Sequence, residues 1–100
     1  MSIVALARRV IFQAMLDAID PDAKKWRKDA LRFFSNGRLE FWAEIGELSP
    51  ERVRRRLYDL FQKAGSARER KKLARVLRAR LEKGPIGLEL EEERSNWKGL

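Results

Sequence analysis

The chain of 100 residues contains no cysteine, no histidine and no threonine. Without cysteine there is no disulfide framework, thiol nucleophile or thiolate metal site, and without histidine there is no imidazole base. Only carboxylate and hydroxyl chemistry remains, on a chain of formal net charge +8, which argues against an enzyme and implies neither cofactor nor metal. Long apolar runs are lacking as well. Arg8, Arg9, Gln13 and Asp17 interrupt the apolar opening from Ile3 to Ile19, so it falls short of the roughly 18 uninterrupted residues that a membrane span needs. Its charges lie inside the apolar stretch rather than before it, unlike a signal peptide. The expectation is a chain without membrane association, cytoplasmic and nucleoid-associated. No segment is rich in β-formers and no internal repeat is present.

Charge is what the chain has in abundance: 23 Lys and Arg against 15 Asp and Glu, with 44% hydrophobic residues beside them. That apolar content is too high for a disordered polybasic peptide, so the charges belong on the exterior of one small folded unit. The excess is unevenly placed. Residues 51 to 83 carry net +9, residues 1 to 50 only +1, and the segment from Gly84 onward −2. Such a distribution favours a polyanionic partner, nucleic acid first.

Helical periodicity accounts for most of the chain and predicts an all-α bundle of about five helices. The first is apolar around most of its circumference, with Ser2, Arg9, Gln13 and Asp17 as a narrow polar stripe. It is either central to the core or half-covered by another chain, which leaves a homo-oligomer through this helix open. Asp20-Pro21 reads as an N-cap followed by the first position of a second helix, and Asn36-Gly37 as its stop, so this helix is expected over 21 to 35. There Ala23, Trp26, Ala30, Phe33 and Phe34 form a stripe among Lys24, Lys25, Arg27, Lys28 and Arg32. Base stacking by these aromatics is one reading, but the helical spacing favours core packing. A short third helix over 38 to 46 has Leu39, Trp42, Ala43 and Ile45 as its apolar set. Ser49-Pro50 caps and opens a fourth helix that closes near Ala64 and Gly65. Ser66-Ala67-Arg68-Glu69 is a capping box that starts a fifth at Ala67, ending by Gly84-Pro85. Leu73, Leu77 and Leu81, with Ala74 and Val76, are expected to hold that helix down. Residues 1–84 are thus a helical domain, with 85–100 an acidic flexible tail or partner-binding arm carrying Glu89, Glu91, Glu92, Glu93 and Trp97.

The segment from Phe41 to Leu57 has the grammar of a helix-turn-helix, here spanning about 38–64. Ala43 is small enough for a close second helix, Leu48 plugs the turn, and Val53 packs across the elbow. Val53, Leu57, Leu60, Phe61 and Ala64 seat the fourth helix, so its opposite face presents Glu51, Arg52, Arg55, Asp59 and Gln62. Base edges in the major groove are read by arginine on guanine and glutamate on cytosine, which makes Glu51, Arg52 and Arg55 the candidate base readers. Ser49, Arg54 and Arg56 flank them as candidate phosphate contacts, joined by Arg68, Lys71, Lys72, Arg75 and Arg78 from the fifth helix. The alternative is that these arginines form a solvated or protein-docking face.

Ala43, Leu48, Ser49-Pro50 and Val53-Arg54-Arg55 resemble, in type and spacing, the helix-turn-helix of LuxR-type regulators and of sigma factor region 4. The pattern departs where glycine usually precedes the apolar turn residue: Glu47 stands there, and Gly46 comes one residue earlier. Over Ala30 to Leu57 the chain is also similar to small prophage-type regulators, including the sigma-like activators of gene transfer agents. The resemblance implies contact with promoter DNA and RNA polymerase, as an activator or antiterminator. Double-stranded DNA is therefore the expected partner, with RNA polymerase or another regulator second. A DNA-packaging factor of the small terminase type, a protein-interaction factor, or a structured-RNA binder are the alternatives the sequence leaves open.

Overall fold

A computed structural model describes residues 2–83, and these form five helices and no strand. They are α1 (Ile3–Ile19), α2 (Lys24–Phe33), α3 (Arg38–Ile45), α4 (Pro50–Lys63) and α5 (Ala67–Glu82). The expected all-α architecture is therefore the one observed, while the tail lies outside the described residues.

The first helix is the hub. It packs on α2, α3 and α5 and touches α4, burying Ala7, Ile11, Phe12, Met15, Leu16, Ala18 and Ile19. Leu39 and Ala43 from α3 and Val53, Leu57 and Leu60 from α4 complete the centre, with Leu73, Leu77 and Leu81 of α5 partly buried against it. The solvent-facing side of α1 is not only its polar stripe, because the apolar Ile3 and Leu6 are exposed as well. Two arginines of α1 act as latches: Arg8 Nε donates to the carbonyl of Gly46 at 2.8 Å, and Arg9 donates to the carbonyl of Leu81 near the end of α5. A cation at a helix C-terminus also meets the negative end of its dipole.

Four expectations are corrected. The second helix starts at Lys24 rather than Pro21, with Ala23 at its N-cap and no side-chain cap. Asp20 instead ends α1, where its carboxylate accepts from the backbone N–H of Asp22 at 2.9 Å and from Arg78 at 2.8 Å. Those bonds hold residues 20 to 23 in a tight turn. The same helix ends at Phe33, and Gly37, with φ 93°, serves as the N-cap of α3 rather than as a stop for α2. Ala30, Phe33 and Phe34 are buried as expected, but Trp26 is 56% exposed with the Lys25 ammonium over its ring. Val76 likewise stands out from α5, 65% exposed, instead of pinning it.

The caps of α4 and α5 form as the sequence expects. Ser49 Oγ accepts from the N–H of Arg52 with Pro50 opening α4, and Ser66 Oγ accepts from the N–H of Glu69 at 3.2 Å while donating to the Glu69 carboxylate. Each such cap contributes about 1 kcal/mol by satisfying an orphan N–H.

Candidate nucleic-acid interface

The join between α3 and α4 is a tight helix stop followed at once by a helix start. The N–H of Leu48 donates to the carbonyl of Ala43 at 2.9 Å, and that of Glu47 to the carbonyl of Glu44 at 3.3 Å. Paired bonds of this kind make a Schellman motif, whose penultimate residue must enter the left-handed region. Glu47 does so with φ 59°, a conformation that favours glycine. The register of the turn is thus kept although glycine is absent from that position. Gly46 serves the packing instead. A Cβ there would lie 3.3 Å from Arg8 Cγ and 3.5 Å from Ala7 Cβ, so its absence lets α1 press against the turn. Leu48 is then buried under the elbow, where Ala43 and Val53 are fully buried.

This elbow aims the outer face of α4 away from the core. Glu51, Arg52 and Arg55 are solvent-exposed on consecutive turns, and Tyr58, 62% exposed, continues the row. The sequence reading did not include Tyr58, although its spacing of three from Arg55 and seven from Glu51 was the available signal. A phenol there can donate to a phosphate or stack on a sugar. Asp59 is half-buried at the edge of the face, whereas Gln62 is exposed.

The two flanking arginines point to opposite sides of α4, and Arg54 is tied to the rest of the protein. Arg54 Nε donates to the carbonyl of Phe34 at 2.9 Å, and its other guanidinium nitrogen pairs with Glu40, tying α4 to the α2–α3 junction. The hydrogen bond from Arg54 holds the Glu40 carboxyl below the usual glutamate range. Arg56 lies over the other edge of α4 with Phe12, Met15 and Leu60, its Nε buried without a partner among the described residues.

On α5 the expected phosphate contacts divide into two sets. Lys71 reaches Asp22 at 3.3 Å and Arg78 reaches Asp20 at 2.8 Å, so these two fasten α5 to the α1–α2 turn. Arg68, Lys72 and Arg75 point to solvent and form no ion pair among the described residues. Burial of Asp20 opposes its ionisation, yet the bonds from Arg78 and Asp22 outweigh this and keep its pKa below the ordinary aspartate value. For Asp17 burial wins, and its pKa is raised despite a hydrogen bond from Gln13. No cluster of acidic side chains suited to a metal ion is present among the described residues, and none of their helices is long and apolar enough to cross a membrane.

No protein family model matches the chain, and no curated protein or solved structure is significantly similar to it.

Proposed function

We propose that this chain is a DNA-binding transcription regulator whose α4 enters the major groove, with Glu51, Arg52 and Arg55 reading base edges and Arg68, Lys72 and Arg75 meeting phosphates. The observation that carries this reading is the elbow. A Schellman stop, a serine cap and a proline at the first helical position follow one another within five residues, and Arg54 anchors one edge of α4 to the α2–α3 junction. What remains outward is a short polar face of the size a groove-reading helix uses. Lys71 and Arg78, engaged by aspartates, contribute to the field around the site rather than to phosphate contact.

A protein contact complements DNA binding in this reading. The first helix of the pair exposes Phe41 (59%), and Glu44 and Glu47 are exposed on the same helix and the turn after it. An acidic and apolar surface repels phosphate and suits a protein, which agrees with action beside RNA polymerase at phage or prophage promoters. Phe41→Ala is expected to lose recovery of polymerase in a pull-down while leaving duplex affinity within about twofold, since one exposed aromatic anchors a partner without touching DNA. Equal recovery by both proteins removes this face from the proposed interaction.

Fluorescence anisotropy with a selected and a random duplex tests the DNA contact. Arg55→Ala is expected to cost about 1–3 kcal/mol on the selected duplex and little on the random one, as for a lost guanine contact. Arg75→Ala is expected to weaken both alike and to reduce the log–log salt slope by about one. Equal loss on both duplexes for Arg55→Ala overturns the assignment of α4 as the reading helix.

A further inference from the structure

Helix α5 docks on α1 rather than along α4, and an open apolar groove is left between α4 and α5. Two joined concavities of about 410 and 280 Å³ share the exposed Val76 and are floored by Met15, Leu60, Leu73 and Leu77. Their rims carry Arg56, Lys63, Lys72 and Arg80, against a single acid, Glu69. Both features call for a ligand that is apolar on one side and acidic on the other: Val76 is exposed to water and Leu73 and Leu77 are only partly buried, and the Arg56 Nε is buried without an acceptor among the described residues.

We propose that this chain's own residues 86–93 occupy the groove, running back along α5. Their sequence is Ile-Gly-Leu-Glu-Leu-Glu-Glu-Glu. In an extended strand every second side chain falls on one side, so Ile86, Leu88 and Leu90 face one way while Glu89 and Glu91 face the other. Leucines on the floor place the glutamates at a rim of four basic side chains, and a carboxylate there supplies the acceptor that Arg56 lacks. The reach also fits. Helix α5 ends at Glu82, beside Arg80 at one end of the groove, and Glu69 lies at the other end. From residue 83 back to residue 69 is about 21 Å of helix, and eight extended residues cover about 26 Å. The docking does not depend on DNA binding. Its consequence rests on the function proposed above: the segment covers Lys72 and competes with phosphate.

The test uses the full chain and a Leu88→Ser, Leu90→Ser double variant, which alters no charge. In DNA-free protein, nuclear Overhauser contacts are expected from the methyls of Leu88 and Leu90 to those of Val76 and Leu77, with the Val76 and Leu73 methyl shifts moving in the variant. Absence of those contacts together with unchanged shifts overturns the proposal. Contacts that appear between differently labelled molecules overturn it too, by assigning the groove to a second copy. In a random-duplex titration a segment docked about 90% of the time weakens binding about tenfold, so the variant is expected to bind up to tenfold more tightly. Intramolecular contacts without that gain support the docking and overturn only the competition with DNA.

Discussion

Replacing Glu47 by glycine is expected to stabilise the fold by about 0.5–1 kcal/mol. The residue sits at φ 59° in the stop between α3 and α4, with its side chain exposed to solvent. Holding a residue with a Cβ in the left-handed region costs roughly 1–2 kcal/mol, which glycine avoids. Glycine gives back about 0.5–1 kcal/mol through its freer unfolded state, and the difference is the net gain. For a domain of this size that gain raises the thermal midpoint by about 2–8 °C. Far-UV circular dichroism at neutral pH reads it, and Glu47→Ala is the control because it removes the charge and keeps the backbone problem. A Glu47→Gly midpoint at or below that of Glu47→Ala rules out relief of backbone strain, since the charge would then be the only thing that mattered. One residue earlier the sign reverses: Gly46→Ala pushes a methyl against Arg8 Cγ and Ala7 Cβ and is expected to cost about 1–3 kcal/mol.

Arg78→Ala strands the buried Asp20 carboxylate and is expected to cost about 2 kcal/mol, less than for a fully enclosed pair because Arg78 is half exposed. Chemical denaturation measures the loss, and an unchanged midpoint with a reduced salt slope for DNA would restore Arg78 to phosphate contact. Acid unfolding follows from the same carboxylate. A folded pKa held below the ordinary 3.8 contributes stability that is complete above that value and is lost as the pH falls through the folded pKa. Glu40 acts in the same direction, and Asp17, with its raised pKa, in the opposite one. The thermal midpoint is therefore expected to fall as the pH drops below about 4, and less steeply in Asp20→Asn; identical profiles for the two proteins refute this.

What could be read along the chain was whatever its chemistry settles locally. Ser49-Pro50 and Ser66 to Glu69 act within one turn of themselves, and both caps form where their residues stand. Asp20-Pro21 carries the same local signal and does not cap α2: one carboxylate oxygen accepts from the N–H of Asp22, the other from Arg78, 58 residues away, and the chain turns before α2 begins. Helical spacing placed Trp26 on the same side as Ala30 and Phe33, but spacing gives a direction and not how closely the neighbouring helix packs there. Trp26 lines an open concavity between α1 and α2 with Gln13 and Asp17. The candidate interface divides in the same way. The exposed row Glu51, Arg52 and Arg55 follows from the apolar face opposite it, whereas the ties of Arg54 to Phe34, Lys71 to Asp22 and Arg8 to Gly46 join distant segments. No local pattern distinguishes an arginine that binds a phosphate from one that binds a carbonyl.

Selection of duplexes from a fully random library by the full chain, repeated with Arg55→Ala, asks directly whether α4 reads DNA. The wild-type chain is expected to enrich one short motif, and Arg55→Ala to lose preference at a guanine within it while still retaining duplex at low salt. Retention of duplex without enrichment of any motif, or a motif unchanged by Arg55→Ala, contradicts a reading role for this helix.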